Sequence, residues 1–147
     1  MKPALRIKKL DPSAKIPTYG SEYAAGADLY ALSDAPVVIA PGETVKLHTG
    51  IAMEIPAGYV GLVYARSGLA VKRGLAPANK VGVIDADYRG ELIVALANHS
   101  QEPQEIAPFE RIAQLVIAPV LQVEFEECAE LSDTVRGAGG FGSTGTK

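Results

Sequence analysis

Asp85, Tyr88, Arg89 and Gly90 stand close together in the stretch Asn79-Lys-Val-Gly-Val-Ile-Asp85-Ala-Asp87-Tyr88-Arg89-Gly90, and residues of these types could do chemistry. A placed carboxylate can orient a water and take its proton. An aromatic ring can lie against a planar ligand. Just upstream, a β-branched run of Val81, Val83 and Ile84 is broken by Gly82, which lets a backbone or ligand approach closely. Asp85 stands where that run ends, and Asp87-Tyr88-Arg89-Gly90 has the composition of a turn. The stretch reads as a strand delivering a carboxylate and a tyrosine to a tight corner. A hairpin with polar turn residues has the same composition, so the rest of the chain must decide.

Three further stretches carry groups suited to an anion. In Ala24-Ala-Gly26-Ala-Asp28-Leu-Tyr-Ala, the spacing puts the Asp28 carboxylate at a strand entrance; a turn aspartate fits the same pattern. In Ala65-Arg66-Ser67-Gly68-Leu69-Ala70-Val71-Lys72-Arg73-Gly74, Ser67 can cap a helix of about two turns, Lys72 and Arg73 suit its negative end, and Gly74 can stop it. Free backbone N–H groups, a hydroxyl and Arg66 at the start of that helix make an anion site, although a capped helix beside an arginine would look the same. The tail, Arg136-Gly137-Ala-Gly139-Gly140-Phe141-Gly142-Ser143-Thr144-Gly145-Thr-Lys147, has little to bury. It formally contains G-x-G-x-x-G, but no helix can follow it, so it is no dinucleotide fingerprint. Its exposed N–H groups can wrap phosphate oxygens, with Arg136, Ser143 and Thr144 as added donors and Phe141 as one flat ring for a base.

The elements that must position these groups are short strands. Leu5 and Ile7 alternate with lysines; Val37-Val-Ile is closed by Pro41-Gly42; Val45, Leu47 and Thr49 alternate, as do Ile51, Met53 and Ile55 after Gly50. Tyr59–Tyr64 is apolar on both faces and reads as a central strand. Glu91–Ala97 and Glu110–Ile117 follow, with Gln114 an oddity inside the second, and Val120, Leu121, Val123 and Phe125 make one more. About ten short strands punctuated by 15 glycines and 10 prolines, with one small helix, imply an all-β sandwich, jelly roll or barrel.

Composition narrows the function. The 147 residues suggest one domain, and with no Trp and 6% aromatics its core must be mainly aliphatic. A net charge of -3 argues against a general nucleic-acid binder. Cys128 is the only cysteine, which fits a reducing compartment. The start lacks the apolar block of a signal peptide, and no run approaches the roughly 18 apolar residues of a membrane span. A cytoplasmic protein without membrane or nucleic-acid partners is expected. His48 and His99 have no partners at ligand spacing and read as satisfied surface or loop histidines.

Taken together, the stretches resemble the five ordered motifs of the trimeric deoxyuridine triphosphatases (dUTPases). Ala25–Leu29 is similar to the first, Ala65–Leu69 to the second, Gly82–Gly90 to the third, Glu110–Leu115 to the fourth and Arg136–Gly145 to the fifth. Each motif alone is weak; the ordered set, spread over nearly the whole chain, is specific. Two positions depart from the pattern without removing a reacting group. Ala27 stands where an aromatic is common and Ala65 where Pro is common.

The resemblance implies a distorted jelly roll of the β-clip type with one short helix, assembling as a homotrimer with active sites shared between subunits. Residues 1–135 would form the hydrolase domain and 136–147 a flexible Gly-rich lid. It implies hydrolysis of dUTP to dUMP and pyrophosphate, which limits uracil incorporation into DNA and supplies dUMP for dTMP synthesis. Asp85 would activate the water. Arg66, Ser67, Gly68, Gln114, Arg136, Ser143 and Thr144 would hold phosphates. Asn79, Gly82, Val83, Ile84, Tyr88, Phe141 and Gly142 would hold the uracil and deoxyribose. Mg²⁺ would be chelated mainly by the triphosphate, with Asp28 acting through a water. A dCTP deaminase-like enzyme and a non-catalytic dUTP-binding trimer are the rival readings.

Overall fold

The structure, a computed structural model, describes residues 4–145. The two ends of the expected domain and lid, residues 1–3 and 146–147, therefore lie outside the described residues. In chain order the strands are β1 (Arg6–Lys9), β2 (Thr18–Tyr19), β3 (Ala27–Tyr30), β4 (Val37–Ile39), β5 (Thr44–His48), β6 (Ile51–Glu54) and β7 (Tyr59–Tyr64). After helix α1 (Ser67–Arg73) come β8 (Leu75–Pro77), β9 (Gly82–Ile84), β10 (Ile93–Asn98), β11 (Gln104–Ile106) and β12 (Arg111–Pro119). α1 is the single helix among the described residues.

All the strand pairings described are antiparallel. The five-stranded sheet runs β2-β3-β12-β7-β9, a three-stranded sheet runs β5-β10-β8, and β1-β6 and β11-β4 form two-stranded pieces. The core between them is aliphatic, as the low aromatic content requires. Leu29, Ile39, Leu75, Leu96, Ile106 and Ile112 are wholly buried, and no aromatic side chain joins them. Among the described residues no helix is long and apolar enough to cross a membrane.

Register fixes what the site can contain. Gln114 on β12 lies directly across from Asp28 on β3 and from Tyr64 on β7, and directly opposed residues of antiparallel strands share a face. A β-bulge then changes the count: Arg111 opposes Tyr30 while Ala113 opposes Leu29. The extra residue switches the parity of β12 and brings Arg111 to the face carrying Asp28.

The structure corrects four expectations. Ser67 does not cap α1; the N-cap is Arg66 in extended conformation, without a side-chain cap bond, and Ser67 is the first helical residue. The stretch from Asn79 to Tyr88 is not a self-paired hairpin. β8 pairs with β10 and β9 pairs with β7, so this stretch carries the chain from one sheet to another. Val120–Phe125 is not a strand; among the described residues no strand pairs with it, and Leu121 and Phe125 are almost fully exposed. The stretch Lys15-Ile-Pro-Thr-Tyr-Gly-Ser-Glu-Tyr is loop-like in composition, yet within it Thr18–Tyr19 forms the short edge strand β2. The stop at Gly74 holds: it sits at φ 66 with its N–H on the Ala70 and Leu69 carbonyls. Arg73 then ties the end of α1 to Gln104 (3.1 Å), Glu110 and the Glu105 carbonyl, which fixes the helix against the turn before β12.

Candidate active site

Two groups of side chains face chemistry in this fold. The first is built on β3, β12 and the entry to α1. Asp28 is buried, and both its oxygens are engaged: Arg66 Nε donates to Oδ1 at 2.9 Å and an Arg111 terminal nitrogen to Oδ2 at 3.2 Å. Charge-assisted bonds of this kind hold a guanidinium in one plane. A terminal nitrogen of Arg66 also reaches the Arg111 carbonyl at 3.5 Å, leaving the other without a partner among the described residues. Gln114 Nε2 donates to the Ala65 carbonyl at 2.9 Å, a contact that uses backbone and so tolerates Ala in place of Pro at 65. The result is a row of N–H donors beside exposed Ser67 and Gly68, suited to an anion rich in oxygens.

Gly26 makes room for this row. A Cβ there would lie 2.4 Å from Gln114 Oε1. Gly26→Ala is therefore expected to displace the Gln114 amide and lower kcat roughly tenfold or more, while leaving the melting temperature close to that of the parent. Unaltered kcat in a folded Gly26→Ala protein would remove Gln114 from the working site.

The second group is a cavity of ≈ 270 Å³ whose walls include Asn79, Gly82, Val83, Ile84, Asp85 and Tyr88. β9 is the outer strand of its sheet, so its far edge carries unpaired backbone groups. In an antiparallel edge strand each second residue turns both its N–H and its C=O outward. Exposed Asp85 follows β9 directly, and a turn bond from the Tyr88 N–H to the Asp85 carbonyl at 3.1 Å closes the corner. The Tyr88 hydroxyl donates to the Glu91 carbonyl at 2.9 Å, and the ring lies over Gly90, where a Cβ would stand 2.4 Å from the hydroxyl oxygen.

Of the residues expected in the site, the structure gathers Asn79, Gly82, Val83, Ile84, Asp85 and Tyr88 at the cavity and Asp28, Arg66, Ser67, Gly68 and Gln114 around the guanidinium row. It does not bring the two groups into one pocket, since no member of the second set lines the cavity. Arg136, Phe141, Gly142, Ser143 and Thr144 lie on exposed turns and line neither; among the described residues Arg136 Nε donates to the nearby Gly139 carbonyl at 2.9 Å. Sequence reasoning passed over Arg111, whose place depends on the bulge. It also passed over Glu91, whose partners lie in another strand: His48 Nδ1 is 2.9 Å from Oε2 and the Gly50 N–H 2.9 Å from Oε1. No local pattern announces a partner so distant in sequence.

Burial pushes the Glu91 carboxyl up, but the His48 hydrogen bond, the Gly50 N–H, the His48 charge and the Thr49 N–H outweigh it, and its pKa falls below the ordinary 4.5. Stability drawn from this carboxylate is fully present above pH 4.5 and is lost as pH falls through the lower folded-state value. The melting-temperature gap between the parent and Glu91→Gln should thus be widest near neutrality and narrow on the acid side. A gap independent of pH would show that ionisation of Glu91 contributes nothing.

An all-β chain that pairs a guanidinium row with a cavity walled by a strand edge has the makings of a nucleotide-handling protein. Comparison with known proteins makes this specific. The dUTPase family model matches residues 12–145. The deoxyuridine 5'-triphosphate nucleotidohydrolase of Nautilia profundicola is 56% identical over 141 residues, which is 96% of this chain and 98% of that one. The Staphylococcus bacteriophage 80alpha dUTPase, solved with dUPNHPP, is 31% identical with a TM-score of 0.90, covering 99% of this chain and 100% of that one. A mutant dUTPase from the S. aureus phage phi11, described as coordinating a structural Mg(II) ion, has 28% identity and a TM-score of 0.78 over 87% and 98% of the two chains. The chain belongs to the dUTPase family.

Proposed function

We infer that the chain hydrolyses dUTP to dUMP and pyrophosphate, and that Asp85 supplies the base. The observation that carries this reading, in a member of the dUTPase family, is the carboxylate standing at the end of the edge strand that walls the cavity. Uracil presents adjacent donors and acceptors, and the outward backbone groups of Gly82–Ile84 can pair with them. Close walls reject thymine's methyl group, and a backbone donor opposes cytosine's amino group. Tyr88 packs under the deoxyribose and leaves no room for a 2′-hydroxyl.

In the reaction, Asp85 orients a water and takes its proton as the oxygen bonds to the α-phosphorus. The bond from that phosphorus to the bridging oxygen breaks, and pyrophosphate leaves. Arg66, Ser67 and Gly68 hold phosphate oxygens, and Gln114, with one N–H still free for it, donates to the α-phosphate. Asp28 and Arg111 set the plane of Arg66. Among the described residues of one chain no group of three or more His, Cys, Asp or Glu could cage a metal ion, and on this reading a hard cation takes its ligands chiefly from the triphosphate. A carboxylate has about four acceptor sites, and the arginines use two at Asp28, which leaves it able to accept from a water on Mg²⁺. Bound there, Mg²⁺ would neutralise triphosphate charge.

We also propose that the fold is a jelly roll that works as a homotrimer, with each site assembled across subunits. Within one chain the cavity and the guanidinium row do not share a pocket. The chain exposes 10417 Å², against about 7,200 Å² expected for a compact monomer of 15.4 kDa. That excess is of the size protein interfaces bury. It includes Leu121, Val123 and Phe125 after β12 and a largely apolar cavity of ≈ 490 Å³ near β1 and β2. On this reading residues 136–147 form a lid, with Phe141 and Gly142 covering the uracil and Arg136, Ser143 and Thr144 closing on the γ-phosphate. The lone Cys128 suits a reducing compartment, and we place the enzyme in the cytoplasm.

Adding dUTP with Mg²⁺ and measuring pyrophosphate tests the reaction directly. Release of dUMP and pyrophosphate in equal amounts is expected, with dCTP left intact. No pyrophosphate from dUTP, or deamination of dCTP, would overturn the assignment.

A further inference from the structure

We propose that Glu91, held by His48 and Gly50, is a positioning residue that fixes the Tyr88 ring and thereby sets discrimination between deoxyribo- and ribonucleotides. The inference rests on the reading that Tyr88 packs under the deoxyribose.

The geometry forms a relay. The Tyr88 hydroxyl donates to the Glu91 carbonyl at 2.9 Å, so the ring can be no better placed than that carbonyl. The residue that bears this carbonyl is itself anchored through its side chain. Both Glu91 carboxylate oxygens are taken up, by the Gly50 N–H in the turn between β5 and β6 at 2.9 Å and by Nδ1 of His48 at the end of β5 at 2.9 Å. Two neighbouring bonds tie Leu92, the next residue, to the turn and the start of β6: its N–H donates to the Ile51 carbonyl (2.8 Å) and its carbonyl accepts from Thr49 Oγ1 (2.5 Å). Glu91 lies in the cavity wall, yet its carboxylate is spent on the protein rather than on a ligand. The turn itself has little freedom. Gly50 sits at φ +69, and a Cβ there would meet Leu32 Cδ2 at 2.5 Å and Ala14 Cβ at 2.9 Å. Rejection of a 2′-hydroxyl is a steric effect that needs a wall fixed to a fraction of an ångström, and this chain of bonds from core to ring supplies one.

The test compares kcat/KM for dUTP with that for UTP in the intact protein. Glu91→Ala is expected to lower the dUTP-over-UTP ratio roughly three- to tenfold, the scale of one hydrogen bond. Glu91→Gln, which keeps the side chain's size and an oxygen acceptor for the Gly50 N–H, should restore most of the ratio. Tyr88→Phe should lower it similarly, and adding Tyr88→Phe to Glu91→Ala should lower it little further, since both cut one path. His48→Ala, a surface change that tests the relay even if Glu91→Ala fails to fold, should move the ratio in the same direction. A parental ratio in Glu91→Ala or His48→Ala, with Tyr88→Phe impaired, overturns the relay and leaves the role of Tyr88 standing. Additive losses overturn it as well. A parental ratio in all of them overturns both the relay and the placement of Tyr88.

Discussion

Asp85→Asn is expected to bind dUTP much as the parent does and to turn it over roughly 10²–10⁴-fold more slowly, the usual scale of a general base. The substitution keeps the side chain's size and its oxygen acceptor, so a water can still be held, but an amide cannot take the proton. Asp85 is exposed, follows the three-residue strand β9 and opens the turn closed by the Tyr88 N–H. Loss of its charge therefore strands no buried partner, and a fall in kcat cannot be blamed on unfolding. The measurement pairs single-turnover hydrolysis with calorimetric binding of a non-cleavable dUTP analogue. Turnover within a few-fold of the parent would take Asp85 out of the mechanism.

Ending the chain before Arg136 should leave a folded assembly that hydrolyses dUTP on the order of 10²-fold more slowly or worse, the cost of losing closure over a reacting group. Arg136–Gly145 makes local turn bonds, such as Gly139 N–H to the Arg136 carbonyl at 3.1 Å and Ser143 N–H to the Gly140 carbonyl at 3.1 Å. Phe141 is fully exposed. The core thus loses nothing, and the melting temperature and assembly size should be close to the parent's. Phe141→Ala alone should raise KM roughly tenfold, as expected for one lost stacking contact. Normal hydrolysis by the truncated protein would rule out the lid.

Much of the secondary structure was legible because it is local. Period-two alternation gave β5 and β6, an apolar run on both faces gave β7 at the inside of its sheet, and Gly74 marked the end of α1. The cap at Ser67 was misread because serine satisfies an N-cap pattern wherever it precedes an apolar stripe, whereas here Arg66 is the capping residue. The strand expected at Val120–Phe125 had the right pattern but no partner among the described residues. A strand needs a neighbour to hydrogen-bond with, and alternation alone does not provide one.

The sequence by itself determined the all-β class, the aliphatic core, the family, and which residue types could attack, neutralise or stack, because composition, period and ordered motifs are properties of the chain read in line. Tertiary structure alone decided how those residues meet. The bulge in β12 turned Arg111 onto Asp28, the register of β3, β12 and β7 put Gln114 beside both, and the β5–β6 turn reached across to hold Glu91. Each of those contacts joins residues dozens of positions apart. A one-residue slip in strand pairing would turn each to the opposite face, and no local pattern in the chain records that choice.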